Sequence, residues 1–134
     1  MLVVLDTNVL ISTCWAPDGL EARVSALALS GVITPCVTPA VLAEYRDVLQ
    51  RDKFLAHRAC LLPLLDRMET VARRFEPVPL IQASIDDDDN RLLECAAASQ
   101  AGYLITGNLK HFPDRWLTTK IVNARNFLVA IGRL

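Results

Sequence analysis

The sequence predicts an α/β fold in three layers, a central parallel β-sheet flanked by helices. Two observations carry the prediction. Four short segments, residues 2–5, 32–36, 103–106 and 120–122, are apolar at most positions rather than at alternate ones. Strands of that kind are buried on both faces, as in parallel sheets. Between them lie segments with helical periodicity, at 20–29, 39–50, 53–74, 89–100 and 123–131, and strand alternating with helix builds right-handed βαβ units.

Taken in chain order, Leu2-Val3-Val4-Leu5 is a strand that stops at Asp6, and Thr7-Asn8 reads as a polar turn. The helix at 20–29 is closed by Gly31. Thr38 is an N-cap and Pro39 the first helical residue of the next helix. Its apolar stripe is Val41, Leu42, Tyr45, Val48 and Leu49, which puts Glu44 about 100° from the stripe's centre, at the edge of the buried face, and Asp47 in water. A long helical segment at 53–74 gives way at Pro77-Val78-Pro79. The run Asp86-Asp87-Asp88-Asp89 then precedes a helix with the stripe Leu92, Leu93, Ala96, Ala97 and Gln100, closed by Gly102. Projected back on the same wheel, Asp89 lies along the stripe and Asp88 about 100° to its side. The strand at 103–106 ends in Thr106-Gly107-Asn108 and is expected beside strand 2–5 at the sheet centre.

At 134 residues and 52% apolar content, the chain is expected to form one domain over residues 1–134. No apolar stretch reaches the roughly 20 residues needed to span a bilayer, and Met1 leads directly into a strand, so a soluble cytoplasmic protein without a signal peptide or membrane contact is expected. Cys14, Cys36, Cys60 and Cys95 form no C-x-x-C pair and read as four buried, reduced thiols rather than a zinc site or a disulfide framework. A net charge of −1 gives no global field for nucleic acid, so any such contact must use a local basic patch. The apolar excess points to a homodimer or a protein partner.

Asp6, Glu44 and the aspartate run place carboxylates at a strand exit and at helix edges, where open α/β sheets keep their chemistry. A helix N-terminus favours one or two acids by up to about 1 kcal/mol. Four in a row repel one another beyond that need, and a cation would relieve them. A calcium loop of EF-hand type is excluded by the missing sixth-place glycine and by Ala97 at the bidentate position. Thr106 and Asn108 can orient water or a phosphate oxygen without adding charge. His111 is a candidate acid or base beside them. Arg46, Arg51, Lys53, Arg91 and Lys110 flank these motifs and are candidate phosphate contacts, with Trp15 available to stack on a base or a partner.

The segments 6–11, 39–45, Asp86 to Asp89 before Leu92-Leu93, and Leu104-Ile105-Thr106-Gly107-Asn108 together resemble the PIN domain, and more closely the toxin components of PIN-type, VapC-like toxin–antitoxin systems. The resemblance runs over nearly the whole chain. It implies a PIN-like nuclease fold whose acids hold Mg²⁺ or Mn²⁺. The expected activity is an endoribonuclease that hydrolyses RNA phosphodiester bonds and leaves 5′-phosphate and 3′-hydroxyl ends. It also implies a cognate antitoxin as partner. Position by position, Asp6 matches the first family aspartate, Glu44 the glutamate of the second helix, and Asp89, with Asp88 as its competitor, the third acid. Thr106 matches the residue ending the later strand, and Asn8 and Asn108 stand as uncharged supporting groups. Many relatives carry an acid where this chain has Asn108, which favours one firmly held metal over two.

Rival readings are weighed on the same residues. A response-regulator receiver needs an acidic pair before the phospho-acceptor and a lysine soon after a later strand, whereas Lys120 precedes a strand. A dehalogenase-like phosphatase needs an aspartate two places after Asp6, where Asn8 stands. A catalytically weak PIN domain that binds RNA or a partner is compatible with Asn108. A metal-free ribonuclease would need His57 and His111 to meet in space.

Overall fold

The computed structural model describes residues 1–76 and 87–134. Its elements in order are β1 (Leu2–Leu5), α1 (Thr7–Trp15), α2 (Leu20–Leu29), β2 (Thr34–Val37) and α3 (Pro39–Leu49), then a 3₁₀ helix at Asp52–His57, α4 (Arg58–Val71) and β3 (Arg73–Arg74). From residue 87 onward come α5 (Asp87–Ser99), β4 (Tyr103–Ile105), a 3₁₀ turn at Leu109–His111, β5 (Arg115–Trp116), β6 (Thr119–Val122) and α6 (Ala124–Ala130).

The strands form one mixed, mostly parallel sheet in the order β3-β2-β1-β4-β6-β5, flanked by helices. β1 runs parallel to β2 on one side and to β4 on the other, with Val3 opposite Tyr103 and Leu5 opposite Ile105. The expected neighbours at the sheet centre are therefore in place. The exception to the all-parallel expectation is β5, which pairs antiparallel with β6 through Arg115–Lys120 and Trp116–Thr119. Two strands joined by the short turn at Leu117 and Thr118 have no room for a crossover, so they can pair only as a hairpin. Leu117 takes a positive φ of 54° in that turn.

The strand order reverses at β1. From it the chain moves outward through β2 and β3, then crosses to β4 on the other side. The carboxyl ends of β1 and β4 thus flank a topological switch point, where open sheets leave a crevice. Val3, Val4, Leu5, Leu104 and Ile105 are fully buried there, as strands covered on both faces require.

Several local expectations are corrected. Thr7 opens a nine-residue helix rather than a turn. It buries Thr7, Val9, Leu10 and Ile11 in its first turn and a half, a spread too wide around the helix to show as a stripe. Segment 53–74 is split into the 3₁₀ helix, α4 and β3. Pro63 lies inside α4 and cannot donate to the Ala59 carbonyl, and Ala59 is exposed, so water can serve that group. β2 starts at Thr34 because Gly31, at φ +86°, turns the chain out of α2 and leaves Val32 exposed. The turn after α5 is made by Gln100, at φ 53°, and not by Gly102, whose N–H donates to the Leu2 carbonyl.

The cysteines are not all reduced. Cys14 of α1 and Cys60 of α4 form a disulfide, while Cys36 and Cys95 are free and buried. No pairing pattern could mark this bridge, because 46 residues separate its ends and the packing of α1 on α4 brings them together. Burial raises both free thiols, Cys95 to about 12, so they are poor nucleophiles. The break at Pro77-Val78-Pro79 and the first aspartate of the run, Asp86, lie outside the described residues. Among the described residues no helix is long and apolar enough to cross a membrane.

Candidate active site

Asp6 sits where β1 ends. Its N–H donates to the Ile105 carbonyl at 2.9 Å, which extends the β1–β4 ladder by one step and fixes the residue at the switch point. Its Oδ2 accepts from the Thr106 hydroxyl at 2.8 Å and from the Asn8 amide at 3.2 Å. Asn8 Oδ1 in turn accepts from the Gly107 N–H, and Thr106 Oγ1 accepts from the Asn108 N–H, each at 2.9 Å. The turn after β4 is thereby tied to the turn after β1 through uncharged groups. Burial raises the Asp6 pKa, and the Thr106 hydroxyl and the first-turn N–H groups of α1 draw it back.

Glu44 reaches the same place from α3. The Thr38 hydroxyl accepts from the Val41 N–H, as an N-cap should, and Val41, Leu42, Tyr45, Val48 and Leu49 are the buried stripe. Glu44 is half-buried at the stripe's edge and Asp47 is exposed. Tyr45 holds the helix in position by donating its buried hydroxyl to the Leu5 carbonyl, one residue before Asp6. The sequence marked Tyr45 as core and missed this second task; a tyrosine in an otherwise aliphatic stripe was its signal, because a buried hydroxyl needs a partner.

Asp88 and Asp89 come from the first turn of α5. Asp89 is buried and lies 3.2 Å from His111 Nδ1, while Asp88 is exposed. The Glu44 pKa is raised from 4.5 to about 7, first by burial and then by the charge of Asp88 and a hydrogen bond shared with it, with Arg51 opposing. Burial and a neighbouring negative charge both favour the neutral form of Glu44.

Asp6, Asn8, Glu44, Asp88, Asp89, Asn108 and His111 all line one cavity of about 420 Å³. Trp15, Phe54, Arg51 and Lys53 line it as well. Thr106 stands behind Asp6, fully buried. Lys110 lines a neighbouring hollow that shares Asn108 and His111. Arg46 is drawn instead into an ion pair with Glu69 of α4, and Arg91 pairs along its own helix with Glu94 at 2.9 Å and Asp87 at 3.4 Å. His57 accepts from the Trp15 indole and does not line the cavity that His111 lines. Phe54 was not anticipated, because the 3₁₀ helix that presents it was read as the start of a longer helix.

Hard oxygen donors of this kind suit Mg²⁺ or Mn²⁺ and not a thiophilic metal. A cation would also relieve the pressure that raises the Glu44 pKa. As the side chains stand, no three or more His, Cys, Asp and Glu groups among the described residues could hold one ion together. Glu44 and Asp88 share a hydrogen bond instead, which a bound cation would displace.

A family model described as PIN domain matches residues 2–110. An uncharacterized protein of Methanocaldococcus jannaschii is 28% identical over 109 residues, covering 79% of this chain and 70% of that protein. The fold is similar to that of a chain in the crystal structure of VapBC2 from Rickettsia felis bound to a DNA fragment from their promoter. The TM-score is 0.61 at 19% identity, covering 92% of this chain and 98% of that one. The span of the family match takes in the four acids at the cavity together with Thr106 and Asn108, and this chain belongs to the PIN domain family.

Proposed function

We propose that the chain is a divalent-metal-dependent endoribonuclease and the toxin of a type II toxin–antitoxin pair. The observation that supports the nuclease reading best is the meeting of Asp6, Glu44, Asp88 and Asp89 around one cavity at the switch point. Four acids from three separate elements converge there, and no cysteine is among the described residues that line the cavity. Asp6 and Glu44, with Asp89 or Asp88, would hold Mg²⁺ or Mn²⁺; when bound, that ion supplies Lewis-acid chemistry at a phosphodiester and lowers the pKa of water. Asp6 is fixed for this role by Thr106 and Asn8. Asn108 and His111, on the same wall, orient water or a phosphate oxygen. Asn108 adds no charge, so one ion is held firmly and a second only with substrate. Hydrolysis leaves 5′-phosphate and 3′-hydroxyl ends.

The toxin reading rests on family membership and on the likeness of fold to a VapBC2 chain. A cognate antitoxin is the expected partner. The exposed Leu55 and Leu62 fit contact with that partner or with a second copy of the chain, and light scattering of the protein alone and with its antitoxin separates the two.

Purified protein should cleave single-stranded RNA with Mg²⁺ or Mn²⁺ and lose the activity on adding EDTA. Asp6→Asn should reduce cleavage more than about 100-fold, since even changes behind a metal ligand cost 10–100-fold. Asn108 gives weight to a second reading, a PIN domain that binds RNA or a partner without cleaving. RNA binding with no cleavage under either metal would establish that reading and end the nuclease one, and activity resistant to EDTA would also overturn the metal-dependent mechanism.

A further inference from the structure

Trp15 is 55% exposed, although it is the largest apolar side chain the cavity has. It is nevertheless held in place. Its indole N–H donates to His57 Nδ1 at 2.8 Å, its ring lies tilted on Phe54 at 5.8 Å between centroids, and the residue before it is bridged to α4 through the Cys14–Cys60 disulfide. An aromatic surface that is rigid and still open to solvent is prepared to receive a flat partner at low entropic cost. Trp15 ends α1, which begins directly after Asp6, so it stands about 13 Å along the helix axis from Asp6.

The same cavity carries two cations, Arg51 and Lys53. Lys53 sits with its ammonium 5.1 Å from the Phe54 ring centre, and Arg51, whose charge is also felt by Glu44, makes a long 3.4 Å contact with the exposed Asp47. Both remain exposed. Next to four carboxylates, a polyanion can approach only where positive charge answers it. A ring for a base and two cations for the adjoining phosphates are the parts of a single-strand binding groove.

We propose that Trp15 stacks an unpaired nucleobase of the substrate while Arg51 and Lys53 hold the phosphates beside it, so that the chain takes single-stranded nucleic acid with its bases accessible. The stacked base belongs to a nucleotide neighbouring the scissile bond, not to the bond itself, given the length of α1. This inference rests on the nuclease reading for its substrate class, and its test is arranged to fail separately.

The test uses the full chain carrying Asp6→Asn, so that nothing is cleaved, with Trp116→Phe so that Trp15 is the one remaining tryptophan. Single-stranded RNA of about ten nucleotides is titrated in Mg²⁺ while Trp15 emission is followed, alongside a set of the same oligonucleotides in which one base at a time is removed. The expected result is quenching on binding and one position where loss of the base weakens binding about tenfold, within what one base–aromatic stack provides. Trp15→Phe should retain most of the affinity, and Trp15→Ala, followed by anisotropy of labelled RNA, should bind all members of the set equally weakly. Arg51→Ala and Lys53→Ala should each weaken binding uniformly across the set and flatten its salt dependence. An abasic set that binds the Asp6→Asn, Trp116→Phe protein uniformly, or RNA binding without quenching, overturns the proposal and leaves Trp15 as a protein-contact surface. Because no step requires cleavage, the result is independent of whether Mn²⁺-dependent hydrolysis is found.

Discussion

The acidic end of the cavity and its aromatic wall are held by different kinds of contact. At the acidic end, Asp6 is fixed by hydrogen bonds from Thr106 and Asn8 and by the β1–β4 ladder, all of them at the centre of the sheet. At the wall, Trp15, Phe54 and Lys53 are placed by ring contacts, one surface hydrogen bond and a disulfide between two helices. The first arrangement fixes atoms to within a hydrogen-bond length, as a reacting centre demands. The second fixes a surface and leaves it adaptable, as recognition of a flexible chain demands. Disturbing the acids should therefore change the rate of cleavage, and disturbing the wall should change affinity or stability while sparing the rate.

The largest effect on rate short of removing an acid is expected at Thr106→Val, which keeps the shape and deletes the hydroxyl that donates to Asp6. Cleavage at saturating RNA should fall about 10–100-fold with KM little changed. An unchanged rate would show that the acidic end does not depend on its hydrogen-bonded setting. Next comes Cys14→Ser, which removes the bridge behind the wall. Stability should drop by about 2–4 kcal/mol in thermal melts, reductant should reproduce the drop in the wild type and have no effect on the variant, and the rate at saturation should be retained. Loss of rate with intact stability would join the two regions that the comparison separates.

The pH dependence of stability is a smaller effect and belongs to the acidic end alone. Glu44 keeps its proton to about pH 7 in the fold but releases it near 4.5 when unfolded. The folded state therefore binds more protons through that interval, and stability declines as pH rises from about 4.5 to about 7. Glu44→Gln should flatten the decline, though not abolish it, since Asp6 is raised in the same direction; urea midpoints at pH 5 and pH 8 without added metal measure it. A slope that Glu44→Gln leaves untouched would mean that Glu44 does not keep its proton in the fold. Smallest of all is Arg46→Ala, which breaks an outlying pair with Glu69 and should alter cleavage by less than about twofold, as expected for an exposed ion pair.

How much of this could be read from the sequence follows from the range of the forces involved. The α3 stripe and its Thr38 cap depend on neighbours within a turn or two, so the edge position of Glu44 followed from the wheel. The burial of Asp89 followed likewise, because its own helix sets it. The wheel spread the α5 stripe too narrowly, however: Glu94, Cys95 and Ser99 are also buried, while Gln100 is exposed. The partnership of Glu44 with Asp88 was not legible, since it depends on how α3 meets α5 and not on either helix. Likewise, α1 went unread because its buried residues surround the helix, and the Cys14–Cys60 bridge because only the packing of α1 against α4 brings its ends together. The basic candidates divided for the same reason: Arg51 and Lys53 line the cavity, whereas nearby acids on α4 and α5 engage Arg46 and Arg91.

The central claim is that these carboxylates hold a divalent metal, and titration of Mn²⁺ into the protein at pH 8, read by the paramagnetic resonance of the free ion, tests it most directly. The account predicts one saturable site in the wild type, weakened more than about tenfold by Asp6→Asn and again by Glu44→Gln. No saturable binding in the wild type, or binding that both substitutions leave unchanged, would contradict it.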